Sequence, residues 1–378
     1  MKAKILHVTQ VTGGVETSLL LLFRHLDQSR FELHLACPPE TNLARESRVL
    51  GLQVFEIPMV RSVHPLRDPV ALGRLIALVK REQYAIVHGH SAKGGYLARL
   101  AARLTGRAKT IYHPRAFSYL SQQGIARSFF LQVERLAVPL TDVVIATSDS
   151  ERRRAIEDVR FPEDRVVTIP NSVDFAEVTG GNGTGDSKTG RSGSPVVLTV
   201  GRLSYQKNPE MFVRVARLVS DRRPDVRFVM LGGGFAGPLE RRVQELIEST
   251  ALGDRVSILP WVSKAEALEH ISRCDVFVLT SRFEGMPNTL LEAMMLKKPV
   301  VVTDADGSRD LIRNGIDGYL VPCDDDLTMA RGVETLLSNP HLSKRTGEAG
   351  FERVRANFAV DKNRRILEQL YNHLIVGQ

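Results

Sequence analysis

Three cysteines in 378 residues, Cys37, Cys274 and Cys323, are odd in number and far apart, so neither a disulfide framework nor a cysteine-based metal centre is expected. No apolar run approaches the ~18 residues that a membrane span requires. The start, Met1-Lys-Ala-Lys-Ile-Leu-His-Val, has no signal-peptide core and passes straight into a strand, which leads us to expect a cytoplasmic protein. The spaced G-x-G-x-x-G fingerprint of dinucleotide enzymes and the Walker Gly-Lys-Ser/Thr loop are both missing. What remains is ordinary for a folded chain: 43% hydrophobic and 25% charged residues, with length for two or three domains.

The charge is unevenly spread. Residues 1–175 hold 24 Lys and Arg against 17 Asp and Glu, whereas residues 195–378 hold 25 against 24. An acidic partner is therefore expected for the first half: an anionic membrane surface, a lipid diphosphate or a nucleic acid. Arg99, Arg103 and Arg107 recur every four residues, and Arg152-Arg-Arg154 adds a second cluster. We read them as one solvated helix face or as a patch for anionic lipid, where each cation adds ~1 kcal/mol.

The most informative stretch is Thr280-Ser-Arg-Phe-Glu-Gly-Met-Pro-Asn-Thr-Leu-Leu-Glu292. Asp275–Leu279 before it reads as a buried strand, and Leu290, Leu291, Ala293, Met294 and Met295 after it as a helix begun by Pro287. A strand, loop and helix of this kind direct backbone N–H groups from Gly285, Met286, Pro287, Asn288 and Thr289 (the proline lacking one) toward an anion, aided by the helix dipole. Glu284 and Glu292 would repel a phosphate, so they are expected to hold hydroxyl groups. A diphosphate flanked by sugars meets all three demands.

Similar punctuation recurs along the chain. Lys4–Thr9 is an apolar strand followed by Thr12-Gly-Gly-Val-Glu16, where Gly13 and Gly14 let backbone approach a ligand. Strand-like runs at 31–36, 54–57, 84–88, 110–112, 143–146 and 166–169 alternate with helical stretches such as 69–80 and 95–104. That alternation predicts a doubly wound parallel sheet, whose ligands gather beyond the carboxyl ends of the strands. Residues 179–194 are almost wholly small or polar, cannot bury a core, and are read as a linker or surface loop. The pattern then restarts at Pro195–Val200 and Gly201-Arg-Leu-Ser-Tyr-Gln-Lys-Asn-Pro209. There Arg202 offers a planar fork and Lys207 a point charge, which suits a diphosphate. Further strands are expected at 226–231, 256–259, 275–279, 299–302 and 319–321, and the tail 331–376 is helical, with Ile366, Leu367, Leu370, Tyr371 and Leu374 on one face.

Glu284 and Glu292 within Ser-Arg-Phe-Glu-Gly-Met-Pro-Asn, and Gly201-Arg-Leu-x-x-Gln-Lys-Asn, resemble the retaining glycosyltransferases of family 4, which use the GT-B fold. The resemblance spans nearly the whole chain and implies an α/β protein of two Rossmann-like doubly wound domains facing across a cleft that closes on its substrates. The domains would be 1–175 on the acceptor side and 195–378 on the nucleotide-sugar side. Residues 176–194 would link them, and the last helix, about 361–376, would cross back to the first. The implied donor is a nucleotide-diphosphate sugar and the implied acceptor a glycan or lipid-linked saccharide, with no cofactor, no metal and no nucleic acid. Glu284 would contact the donor sugar and Glu292 the ribose. Gly13 and Gly14 match the family's Gly-Gly-x-Glu, near the donor phosphate and the acceptor.

Two histidine-bearing segments, Val87-His-Gly-His-Ser-Ala-Lys-Gly-Gly95 and Ile111-Tyr-His-Pro-Arg-Ala-Phe117, fall at expected strand ends. His88 and His90 are read as alternating sides of a strand end with no acidic ligand nearby, so no metal site is expected. The wording resembles bacterial members that build polysaccharides, many of which read Tyr-Thr-Pro-His-Ala-Phe in the second segment, with a His that faces the transferred sugar. Here Arg115 stands where that His is expected and His113 comes two places earlier. We assign His113 the imidazole's role, with His90 and Arg115 as phosphate or acceptor contacts. Asp304-Ala-Asp306 is read as structural rather than as a metal motif, and Asp324-Asp-Asp326 as a capping cluster. Two rival readings are a nucleotide-sugar 2-epimerase and a non-catalytic nucleotide-sugar binding subunit.

Overall fold

The computed structural model describes residues 2–10, 13–60, 63–106, 108–179, 193–234 and 237–376. The chain divides into two units, Met1–Ser172 together with Val360–Gln378, and Val173–Ala359. Both follow the expected doubly wound α/β plan.

The first unit is built on seven described strands: β1 (Ala3–Val8), β2 (Phe31–Cys37), β3 (Gln53–Glu56), β4 (Ile86–His90), β5 (Lys109–His113), β6 (Val143–Ala146) and β7 (Val166–Thr168). They pair in parallel in the order β3-β2-β1-β4-β5-β6-β7. Helices cover both faces, so the central strands read as unbroken apolar runs rather than as alternating patterns. Leu6, Val8 and Val87 pack under the helices Arg67–Glu82 and Ala92–Thr105. Ile5, Ile86 and Ile111 pack on the other face, under Gly14–His25 and the last helix, Val360–Val376. Leu367, Tyr371 and Leu374 of that last helix are part of this core, with Ile366 and Leu370 packed against it.

The second unit repeats the plan with β8 (Val196–Val200), β9 (Arg227–Gly233), β10 (Val256–Pro260), β11 (Val276–Leu279), β12 (Val300–Thr303) and β13 (Tyr319–Val321). Their order is β10-β9-β8-β11-β12-β13, again all parallel. In each sheet the order reverses once, between β1 and β4 and between β8 and β11. That is where a doubly wound sheet opens a crevice beyond its strand ends. Within the expected linker, Ala176–Thr179 form a helical turn whose Glu177 is paired with Lys264 at 2.6 Å; the rest of the linker up to residue 192 lies outside the described residues.

The arginine series does not form one solvated face. Arg99 is only 1% exposed. Its Nε donates to Gly95 O at 3.0 Å, its Nη1 to Thr141 Oγ1 at 3.2 Å, and its Nη2 lies 3.5 Å from Glu134 Oε2. The guanidinium stacks 3.8 Å over the Tyr112 ring, and Tyr112 in turn donates to Glu134 at 2.8 Å. Fourfold spacing identifies a helix face but not which way that face looks, and this one looks inward. A Cβ on Gly95 would meet the Tyr112 ring at 2.4 Å, so the helix can lie this close to the sheet only with glycine there. Arg103 is exposed, and Arg107 lies outside the described residues. Arg152 and Arg154 of the second cluster are paired with Glu163 and Asp158.

Removing one partner of a satisfied buried ion pair costs about 3–5 kcal/mol, whereas a plain surface change stays within about 0.5 kcal/mol. Arg99→Ala is therefore expected to lower unfolding stability by several kcal/mol in urea titrations and Arg103→Ala to leave it unchanged; comparable effects would contradict this packing.

Candidate functional site

In the second unit the loops after β8 and β11, the two strands flanking the reversal, are tied together. Gly201 follows β8 at φ 155°, and Asn208 sits at φ 50° before the helix Pro209–Arg222. Between them lie Arg202 and Lys207, which line one small pocket with Thr280. Thr280 Oγ1 donates to Lys207 O at 2.8 Å, and Arg282 N donates to Gln206 O at 2.8 Å. Lys207 Nζ donates to Glu284 Oε1 at 2.6 Å. Ser281 Oγ donates to the same oxygen at 2.7 Å, and Gln206 Nε2 to Oε2 at 3.2 Å. Glu284, only 6% exposed, is thus held by three side chains. The arrangement joins a cation suited to an anion with a carboxylate suited to hydroxyls.

The helix Asn288–Met295 starts just beyond, with Pro287 at its N-cap. Thr289 Oγ1 at that start is buried without a hydrogen-bond partner. The loop is braced from below. A Cβ on Gly307 would meet Gly285 O at 2.0 Å, so the helix Asp306–Leu311 can press against the Gly285–Met286 backbone only with glycine there. Asp304, of the Asp-x-Asp triplet, is engaged by Arg309 at 2.6 Å, and Asp325 caps the helix Asp326–Ser338.

Glu292 is separate from the Lys207–Glu284 pair. It is buried on the fifth position of its helix, with Lys264 Nζ 3.8 Å away. Burial pushes its carboxyl up to about 7, opposed by the Lys264 charge. Since this folded value lies above that of an unfolded glutamate, folding favours the protonated form. The resulting stability is full below about pH 4.5 and is lost as pH rises through 7.

In the first unit, His7 on β1 pairs in register with His88 on β4, and His90 with His113 on β5. The rings of His88 and His90 stack at 4.1 Å, and His7 Nδ1 and His90 Nε2 share a hydrogen bond of 3.0 Å. This corrects the expectation that His88 and His90 alternate sides: residues two apart on a strand share a face. His88 Nδ1 bonds Tyr371 Oη of the last helix at 2.9 Å. Ligand atoms of His7, His88 and His90 lie within 4.8 Å of one another, as a metal site would need. His7 Nδ1 and His90 Nε2 already bond each other, however, and the nearby Arg115 charge opposes a cation. Burial is the main reason that all four imidazoles are held neutral, His7 down to about 3, with Arg115 adding to it.

Arg115 and Ala116 follow β5 at φ 54° and 78°, and Ser91 follows β4 at φ 60°. Left-handed non-glycine residues at successive strand ends mark stored backbone strain. Ala116 N donates to Glu151 Oε1 at 2.6 Å and Arg115 Nη1 to Asn171 Oδ1 at 3.0 Å, which hold the loop in place. Gly13 caps the helix Gly14–His25 at φ 84°; Ser18 of that helix lines a pocket with His88, His113 and Arg115, and His90 stacks on His88 outside that lining. The neighbouring Thr12 lies outside the described residues.

Sequence reasoning passed over His7, Gln206, Ser281, Lys264 and Tyr371. Only Gln206 carried a signal, its place beside Lys207.

Comparison with known proteins now adds to this geometry. Residues 12–177 match the family Glycosyltransferase Family 4, and residues 186–353 match Glycosyl transferases group 1. The chain is 30% identical to the UDP-Gal:alpha-D-GlcNAc-diphosphoundecaprenol alpha-1,3-galactosyltransferase of Escherichia coli, over 86% of this chain and 85% of that one. It is 27% identical to the putative glycosyltransferase EpsD of Bacillus subtilis, over 93% and 91%. Among solved structures it resembles the sucrose-phosphate synthase of Thermosynechococcus elongatus, with a TM-score of 0.84 at 19% identity and all of both chains covered. Anabaena Alr3699/HepE in complex with UDP and glucose gives 0.82 at 20%, covering 98% of this chain and all of that one.

Replacing Glu292 by Gln removes the cost of keeping a buried carboxylate charged. Urea titrations are expected to show the variant gaining on the wild type by roughly 2–3 kcal/mol between pH 4.5 and pH 8. A difference that does not change with pH would mean that the carboxyl titrates normally.

Proposed function

The chain belongs to glycosyltransferase family 4, with the GT-B fold, and from that premise we propose which transfer it performs. It moves a sugar from a nucleotide-diphosphate donor, read as a UDP-sugar from the names of its relatives, to a hydroxyl of a glycan or lipid-linked saccharide. The anomeric configuration is retained and no metal takes part. The observation that carries this reading is the junction of Arg202, Lys207 and Glu284 at the strand-order reversal of the second unit.

In this reading the diphosphate lies against Arg202, Lys207 and the start of the helix Asn288–Met295. Negative charge grows on the leaving diphosphate as the glycosidic bond breaks, and fixed positive groups stabilise it most at that moment. Lys207 is shared between the leaving group and Glu284, so it links departure of the diphosphate to the sugar that Glu284 orients. Glu292, further along the same helix, holds the ribose. Gly13, Gly14 and His113 belong to the first unit and serve the acceptor and the face of the sugar. With a lysine and an arginine supplying the positive charge, the Asp304–Asp306 triplet has no catalytic part. The comparisons favour neither an epimerase nor a non-catalytic subunit.

The direct test is release of nucleoside diphosphate from UDP-sugars that requires a saccharide acceptor and survives exhaustive chelation. Release without acceptor, or its loss on chelation, would count against the reading. Glu284→Gln is expected to lower kcat while leaving nucleoside diphosphate affinity nearly unchanged, because its contacts strengthen as the ring gains charge. Glu292→Gln is expected to weaken the bare nucleotide by roughly 1–3 kcal/mol, read by calorimetric titration. The opposite pattern would reverse the two roles.

Attachment to an anionic membrane is also part of the proposal, although its basis moves from the arginine series to another helix. Gly124–Leu136 is exposed along most of its length, with Ile125 90% and Phe129 62% exposed and Arg127 between them. No described helix is long and apolar enough to cross a membrane. Apolar side chains beside cations suit a helix lying in the interface. Co-sedimentation with anionic liposomes is expected, weakening with salt and lost in Ile125→Glu/Phe129→Glu. Unchanged sedimentation of that variant would rule this helix out.

A further inference from the structure

The first unit contains a half-buried guanidinium, that of Arg115, with one buried N–H left unpartnered among the described residues. Arg115 makes no ion pair. Its Nη1 is used on Asn171, and its Nε is buried with no partner. Glu151, the nearest acid acting on it, already accepts from Ala116 N, Thr147 N and Thr147 Oγ1 at 2.6–2.7 Å. His113 is 7% exposed, and neither of its ring nitrogens has a partner. His88 Nε2 is likewise buried and unpartnered.

These groups open into one pocket at the carboxyl ends of β5, β6 and β7. Among its described lining residues are Arg115, Arg364, His88, His113, Asn171 and Asn363, and no Asp or Glu is included. Arg364 approaches from the last helix, where it is paired with Glu368 at 2.9 Å. A buried N–H of a guanidinium costs free energy unless an acceptor meets it, and an anionic acceptor meets its charge as well. The strained backbone at Arg115 and Ala116 adds to that cost, as strain held at ligand sites does.

We infer that this pocket binds an anionic oxygen group, a carboxylate or a phosphate, carried by the saccharide substrate of the first unit. The Nε edge of Arg115 supplies the charged donor. The imidazoles of His113 and His88 supply neutral N–H donors, which ask for an acceptor without adding charge. Burial lowers Arg115 itself to about 10, with the Glu151 charge opposing, so it remains charged near neutrality. A cation held by His7, His88 and His90 is the less favoured occupant, because the Arg115 field that disfavours protonating those rings also repels a metal. The inference rests on the proposed function only in making the anion part of the substrate; binding of a free anion needs no turnover.

The test uses the full chain carrying Arg202→Gln and Lys207→Gln, which silences the cations of the second unit. Thermal unfolding is followed against inorganic phosphate, glucuronate and glucose at constant ionic strength. A saturable rise in Tm with phosphate or with glucuronate, absent with glucose, is expected. Adding Arg115→Gln is expected to weaken that anion at least ten-fold. The anion that acts identifies the group as phosphate or carboxylate. An undiminished rise in the Arg115→Gln chain, or no rise with either anion, overturns the proposal. Should the double variant fail to fold, the imidazole resonances of His88 and His113 in the unaltered chain report the same titration. Anion binding without transfer activity would sink the proposed function and spare this site, and transfer without anion binding would do the reverse.

Discussion

In each unit the strand order reverses once, and the two strands flanking that reversal send their following helices to opposite faces of the sheet. No main chain fills the space between those two departures. The Lys207–Glu284 pair and part of the histidine cluster are arranged around that constraint. Lys207 and Glu284 come from the loops after β8 and β11; His7 comes from β1, and His88 and His90 from β4. The glycines that allow backbone to approach backbone, Gly95 on Tyr112 and Gly307 on Gly285, brace the same strand ends.

The two units treat their site cations differently. The second pairs Lys207 with Glu284 and surrounds the carboxylate with Ser281 and Gln206. The first sets Arg115 beside neutral imidazoles and Tyr371, and its acidic neighbour Glu151 is already engaged by Ala116 and Thr147. An anion in the second unit would share Lys207 with a carboxylate, whereas in the first it would meet an N–H that has no partner.

Much of the architecture was legible because parallel strands buried on both faces leave short β-branched runs that no surface helix produces. Val143–Ala146, Val276–Leu279 and Val300–Thr303 are examples, each fully buried. Glu284 and Lys207 were legible because each sits just past such a run among glycine, proline and polar residues. Arg99 was not, since a charged residue at helical spacing looks the same whether its face meets water or a buried glutamate. The histidine cluster was misread for a plainer reason, as His88 and His90 are two apart and share a face. His7 joins them through the pairing of β1 with β4, which unites residues some eighty positions apart. Tyr371 joins through a helix at the far end of the chain.

That last contact bears on how the chain reaches its final form. The first unit comprises Met1–Ser172 and Val360–Gln378, with the whole second unit between them in sequence. During synthesis the N-terminal sheet precedes the second unit, yet one of its faces, covered in part by Gly14–His25, waits for the helix Val360–Val376 to be complete. Leu367, Tyr371 and Leu374 have no earlier substitute in that core. Domains generally fold as units while the ribosome proceeds, but this one closes its core only after its neighbour has been made. The pairing of His88 with Tyr371, 283 residues apart, therefore needs the whole second unit to have been made first. Closing a loop of that length costs entropy before its contacts repay it, which is slower than completing a sheet from contiguous chain.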